Sequence, residues 1–141
     1  MKRPAQPKCV TRHWGGIDVS KKTFDAAVLL KGELGSDPPL GSLLAKAFAR
    51  SIEGVEEFLA WLDAQCAEVE GEVRCVMETT GRYSTELAVW LMAQRPRLAP
   101  SIVHAQRSAD YIKSLGVRNQ TDKLAARGLA LFGLQRQPEA Y

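Results

Sequence analysis

Apolar positions change their period several times along this chain, and each change marks a predicted element. From Trp14 to Leu30 two apolar runs flank Lys21-Lys22-Thr23: Ile17 and Val19 close the first beside Gly15 and Gly16, and Phe24 to Leu30 form the second. That pattern predicts two strands around a polar turn. Residues 32–42, with Gly32, Gly35, Pro38, Pro39 and Gly41, read as a loop, and Leu44 to Arg50 alternates weakly as a third strand. Val55, Phe58, Leu59, Leu62 and Cys66 then recur at helical spacing, opposite a polar face of Glu53, Glu56, Glu57, Asp63 and Glu68.

The second half repeats the alternation. Val73 to Met77 returns to strand, and Leu87, Trp90 and Leu91 mark a helix for which Ser84 is the expected N-cap. Pro96 and Pro100 bound the break that follows. Ser101-Ile102-Val103 predicts a short fifth strand, Gln106 to Leu115 a helix stopped by Gly116, and Thr121 the cap of a last helix running through Phe132. The predicted order is βββαβαβαα. Three consecutive strands followed by alternating units imply an α/β fold, a mixed five-stranded sheet with helices on both faces.

With 141 residues, 45% hydrophobic and 25% charged, the chain is long enough to bury one core and too short for two comfortable ones. No apolar stretch approaches the roughly 20 residues that span a bilayer, and the basic start from Met1 to Lys8 leads into no apolar signal region, so a cytoplasmic protein with no membrane partner is expected. Cys9, Cys66 and Cys75 are odd in number and lack C-x-x-C spacing, which suggests neither a disulfide framework nor a zinc site. With His13 and His104 the only histidines, oxygen ligands are the one metal-binding chemistry worth arguing.

Charge is uneven. Residues 1–31 carry seven Lys or Arg against two acids, residues 32–94 four against eleven, and residues 95–127 seven against two. The two basic blocks flank three acids: Asp18 at the end of the first strand, Glu78 at the end of the fourth, and Asp122 at the opening of the last helix. Three such carboxylates could converge on one hard cation such as Mg²⁺, and basic blocks around them would let a polyanion approach. They meet if the first and fourth strands are neighbours and the last helix packs across them. Each acid also has an ordinary structural role open to it: Asp18 as a turn residue, Glu78 as a partner of local backbone groups, and Asp122 as a complement to the helix dipole.

Three blocks carry a family resemblance: Gly16-Ile17-Asp18-Val19-Ser20-Lys21, Met77-Glu78-Thr79-Thr80-Gly81-Arg82-Tyr83, and Leu115-Gly116-Val117-Arg118-Asn119-Gln120-Thr121-Asp122-Lys123. In order and spacing they resemble the DEDD transposases of the IS110 type, a family that includes related DNA invertases. The similarity runs from about Gly15 to Gly133. It implies a RuvC-like, ribonuclease H-like fold that uses four acids to bind Mg²⁺, with Mn²⁺ as a substitute, and acts on DNA during element mobility. Asp18, Glu78 and Asp122 match the first three acids as catalytic and metal-binding residues. The resemblance names DNA as the partner and brings a guide or structured RNA and a homo-oligomer into consideration.

The chain departs from the family pattern twice. The fourth acid belongs three residues after the third, and Thr121-Asp122-Lys123-Leu124-Ala125-Ala126 has alanine there. Residues three apart share a helical face, so Ala125 removes a carboxylate that would sit beside Asp122. Family members also continue into a serine-bearing C-terminal domain, whereas this sequence stops at Tyr141. The expected organisation is therefore a basic tail over residues 1–13, a RuvC-like catalytic domain over 14–135 and a short end over 136–141. Lys21, Lys22, Arg107, Lys113, Arg118, Lys123 and Arg127 are the candidate phosphate contacts, with a solvated mixed-sign surface as the alternative. Two other functions remain open. One is a catalytically silent nucleic-acid-binding and oligomerisation module. The other is a lobe of an actin-like or sugar-kinase-like ATPase, which also begins with a Gly-Ile-Asp strand but would need a second phosphate-binding Gly-rich loop that is missing.

Overall fold

A computed structural model describes residues 12–29, 44–67, 71–104, 110 and 122–141, with the backbone alone at positions 12, 44 and 122–124. Its strands are β1 (Arg12–Val19), β2 (Thr23–Leu29), β3 (Leu44–Ala49), β4 (Glu72–Glu78) and β5 (Ser101–Val103). Its helices are α1 (Ile52–Gln65), α2 (Gly81–Gln94) and α3 (Asp122–Arg136), with a 3-10 turn at Pro96–Leu98. The strands lie in the order β3-β2-β1-β4-β5. β1 runs antiparallel to β2 and parallel to β4, β2 is antiparallel to β3, and β4 is parallel to β5. The sheet is mixed and five-stranded, as the pattern predicted. The expected loop at 32–42, the cap at Thr121 and all but Asp110 of the expected helix 106–115 lie outside the described residues; Asp110 is helical.

Side chains alternate across a strand, so the two faces can be read from register. One face carries Ile17, Val19, Phe24, Ala26, Val28, Cys75 and Met77, which bury against Val55, Phe58, Leu59 and Leu62 of α1 and Leu87, Ala88 and Leu91 of α2. The other carries Trp14, Leu29, Val76 and Val103, which bury against Leu129, Ala130, Leu131 and Phe132 of α3. Helices therefore cover both faces. β1 is central and buried almost throughout, which explains why its sequence lacks a clean polar alternation.

Two boundaries differ from expectation. Ser84 does not cap α2. The helix begins earlier, at Gly81, whose φ of +50° is one that glycine adopts without a β-carbon penalty, and Thr80 occupies the N-cap. Ser84 is instead buried inside the first turn, where its hydroxyl accepts the Thr80 N–H at 3.0 Å and donates to the Gly81 carbonyl at 3.3 Å. The last helix continues one turn past Phe132 to Arg136, because Gly133 packs against the Trp14 ring and keeps the final turn on the sheet.

Candidate carboxylate site

The β1–β4 pairing decides where the acids lie. Ile17 pairs with Met77 in parallel register, so Asp18 and Glu78 each stand one residue further along neighbouring strands. Adjacent strands are about 4.8 Å apart. Asp18 shares its face with Trp14 and Gly16, and Glu78 shares its face with Val76 and its β5 partner Val103; both are on the side that α3 covers. Both are half-buried and both take part in polar interactions within the fold.

α3 is aligned with this edge by close backbone contact. A β-carbon built on Gly16 would lie 1.9 Å from the carbonyl oxygen of Ala126 and 2.4 Å from the amide nitrogen of Ala130. One built on Gly133 would lie 2.5 Å from the Trp14 ring. Moving from Trp14 to Gly16 thus corresponds to moving back along α3 from Gly133 to Ala126, so the helix runs antiparallel to β1. Two further residues along β1 reach Asp18, and one further turn back along α3 reaches Asp122, the first residue of the helix. The backbone thus carries Asp122 toward the end of the sheet where Asp18 and Glu78 stand. Its side chain lies outside the described positions. Ala125, three residues on, is half-buried.

One acid was missed by the sequence reading. Asp25 is the direct antiparallel partner of Asp18, lies on the same face and is only 8% exposed. The signal was present: a two-residue turn at Lys21-Lys22 pairs positions whose numbers add to 43, hence 18 with 25. Like charges set directly opposite one another disfavour the pairing. Asp25 also takes part in interactions within the fold. Among the described residues no three His, Cys, Asp or Glu side chains form a group that could hold an ion. The expected set includes Asp122, whose side chain is not among them. Its donors are carboxylate oxygens, the ligand class that suits Mg²⁺, and the thiol of Cys75 is on the opposite face.

Corners after each acid are tied down. Beyond Glu78, the Thr79 N–H donates to Val103 O at 2.9 Å and its hydroxyl to the same oxygen at 3.0 Å, while the Thr80 hydroxyl donates to Glu78 O at 3.3 Å. Beyond Asp18, the Ser20 N–H and hydroxyl both donate to Thr23 O at 2.9 Å, closing a turn whose tip is Lys21 and Lys22, both exposed. Arg127 lies on α3, half-buried, and Lys123 is the second residue of that helix. Arg107, Lys113 and Arg118 lie outside the described residues. The Tyr83 ring has the guanidinium of Arg50 over it at 4.6 Å and that of Arg82 at 5.7 Å.

Away from this edge, a cavity of about 520 Å³ lies between the ends of α1 and α2 and the start of β4, lined by Leu62, Cys66, Val73, Arg95 and Leu98 among others. Its rim carries an Arg95–Asp63 ion pair whose hydrogen bonds hold the Asp63 carboxyl below its ordinary range. Burial raises the Cys66 thiol, and pushes that of Cys75 up to about 12. A thiol so buried stays protonated and inert. No helix among the described residues is long and apolar enough to cross a membrane.

No family model matches the chain. Over 126 residues, 87% of its length, it is 29% identical to the pilin gene-inverting proteins of Moraxella bovis and of Moraxella lacunata. The matched stretch is 34% of each, so the chain spans about a third of the length of these relatives. Among solved structures, a Ppx/GppA family member from Aquifex aeolicus gives a TM-score of 0.41 at 13% identity, over 72% of this chain and 38% of that one. The type II variant of the Aquifex aeolicus Ppx/GppA phosphatase gives 0.43 at 13% identity, over 76% and 42%. Those two likenesses are too slight to bear on function.

Proposed function

We propose that this chain is the carboxylate-bearing catalytic domain of a DNA recombinase, of the DEDD type that its three sequence blocks resemble. The observation that carries this reading is the parallel pairing of β1 with β4, which sets Asp18 beside Glu78 on the face covered by the helix that Asp122 opens. The relation to pilin gene-inverting proteins supports DNA as the substrate class.

In this reading Asp18, Glu78 and Asp122 hold Mg²⁺. When bound, such a cation polarises a phosphodiester and lowers the pKa of an attacking water or hydroxyl. The chain's own contribution is position and charge. Gly16 admits α3 close enough that the first turn of the helix is directed toward the edge where Asp18 and Glu78 stand. Lys21 and Lys22, at the exposed turn beyond Asp18, offset the repulsion that a carboxylate edge exerts on a polyanion. Corner hydrogen bonds at Thr79 and Thr80 fix the backbone beside Glu78, so that its orientation does not have to be established as substrate arrives.

Ala125 favours the second reading, a catalytically silent nucleic-acid-binding module. It stands on α3 where the family pattern has a fourth acid. Duplex binding and Mn²⁺-dependent nicking of supercoiled DNA separate the two. The recombinase reading expects binding at about micromolar concentration that weakens steeply with salt, together with nicking that Asp18→Asn abolishes. Binding without nicking, in both the wild type and Ala125→Asp, would leave the silent module. Absence of binding at low salt would reject both.

A further inference from the structure

The turn that presents Lys21 and Lys22 is braced by one side chain from another strand. Arg50 follows β3, and its main-chain N–H donates to Lys22 O at 2.8 Å, continuing the β2–β3 ladder past its last pair. Its side chain then turns back: Nε donates to Lys21 O at 2.8 Å. The far end of the guanidinium donates to Glu86 Oε2 on α2 at 2.9 Å, and its Cζ lies 4.6 Å from the centre of the Tyr83 ring and 5.6 Å from that of Trp90. The Arg50 side chain is only 12% exposed. Consecutive carbonyls of the lysine turn are thus both held by Arg50, and Arg50 is held by the first three turns of the helix that follows Glu78.

This arrangement is costly for a surface hairpin to maintain. A two-residue tip gains its order from its closing hydrogen bonds alone, and exposed lysines lose side-chain and backbone freedom when they are held. A planar guanidinium supplies what a lysine cannot: a donor from Nε to one partner, a donor from a terminal nitrogen to another, and a flat face for aromatic rings. It joins the turn beyond Asp18 to the helix beyond Glu78, so the two sides of the carboxylate edge cannot shift independently.

We propose that Arg50 is a positioning residue that holds the Ser20–Thr23 turn so that Lys21 and Lys22 both reach the phosphate backbone of a nucleic acid lying on the carboxylate edge. The proposal rests on the nucleic-acid reading given above and adds the residue that preorganises it. Arg50 acts through the lysines; its own guanidinium is already engaged by Glu86, Tyr83, Trp90 and Lys21 O.

The test is duplex-DNA binding across a salt series for the wild type, Arg50→Lys, the Lys21→Ala/Lys22→Ala double variant, and the combination of all three changes. Arg50→Lys keeps the net charge, so a simple loss of positive charge cannot account for its effect. Removing both lysines should lower the slope of log affinity against log salt by about 1.8, the value for two phosphate contacts. Arg50→Lys should lower it by about 0.9 or more in the wild-type background, and by nothing once the lysines are gone. Glu86→Gln, which loosens the brace from the helix side without touching the turn, should act in the same direction more weakly. An Arg50→Lys effect that is absent, or that persists unchanged without the lysines, would overturn the proposal. Amide exchange distinguishes this failure from that of the nucleic-acid reading. The Ser20 amide should exchange about tenfold faster in Arg50→Lys while the amides of Val55 and Phe58 keep their protection. Faster exchange with no DNA binding by the wild type would reject the nucleic-acid reading and leave the brace; unchanged exchange would reject the brace whatever binds.

Discussion

The two faces of the sheet are built on opposite terms. Against α1 and α2 the sheet presents large side chains: Phe24 and Phe48 meet Phe58 of α1 with ring centroids 5.5 to 5.6 Å apart, and Trp61 of the same helix joins at Phe48. Against α3 it presents glycine to backbone at Gly16, and then, toward one edge, the carboxylates Asp18, Asp25 and Glu78. The aromatic face fills space with apolar area, which is worth roughly 25 cal/mol per Å² removed from water. The α3 face gives up area for proximity. Where α3 meets β1 backbone to backbone at Gly16 little side-chain area is buried, although Trp14, Leu129 and Phe132 fill the rest of that face; a contact so close can bring a residue of the helix's first turn toward groups standing on that strand. The aromatic packing and the proposed site thus lie on opposite faces, and they can be perturbed separately.

The largest effect should come from the aromatic face. Phe58→Ala removes the ring that touches both Phe24 and Phe48 and should cost about 3–5 kcal/mol, read by urea unfolding. At concentrations where the variant remains folded, its response to Mn²⁺ should match that of the wild type. Gly16→Ala should cost less, about 2–3 kcal/mol, because α3 must move away from a β-carbon that meets only main-chain atoms. Its Mn²⁺ response should nevertheless fall further than its stability, since Asp122 moves with the helix. If Phe58→Ala weakens the Mn²⁺ response more than Gly16→Ala does, the division of labour between the faces is wrong.

Ala125→Asp sharpens the comparison on the α3 face. A carboxylate one turn from Asp122 should raise Mn²⁺ affinity about tenfold, roughly 1.4 kcal/mol. The position is half-buried on the described helix, so circular dichroism should show an unchanged fold. An unaltered or weaker titration would mean that position 125 does not face the cation.

The smallest effect belongs to the rim of the far cavity. Hydrogen bonding to Arg95 lowers the Asp63 carboxyl from its ordinary 3.8, so the pair adds stability above that pH and loses it as pH falls through the lowered value. Asp63 is largely exposed, and the pair is worth at most about 1 kcal/mol. Asp63→Asn should therefore lower the unfolding free energy slightly at pH 7 and leave it unchanged in acid well below pH 3.8. A difference that persists undiminished in acid would assign the loss to packing.

Much of the fold was legible because its elements are locally consistent. The Phe24 to Leu30 run, the helical spacing from Val55 to Cys66 and the short Ser101–Val103 run each point to one element, and each formed. The order of strands was not legible. Neighbouring β1 and β4 are far apart in the chain, and nothing local to Asp18 or Glu78 specifies their pairing. Ser84 misled because serine ahead of an apolar helical pattern usually marks a cap, whereas here a left-handed glycine opens the helix a turn earlier. Asp25 was overlooked because it sits within an apolar run, although the hairpin register places it opposite Asp18. Arg50 had no signal of its own; its role exists only once the turn, β3 and α2 have come together.

The central claim is that the α3 face carries a carboxylate site for a divalent cation. Calorimetric titration of Mn²⁺ into the wild type, Asp18→Asn and Glu78→Gln tests it most directly, with each variant confirmed folded by its unfolding transition. The account predicts saturable binding by the wild type that falls at least about tenfold in either variant, a loss of roughly 1.4 kcal/mol or more. Equal affinity in all three proteins would contradict it.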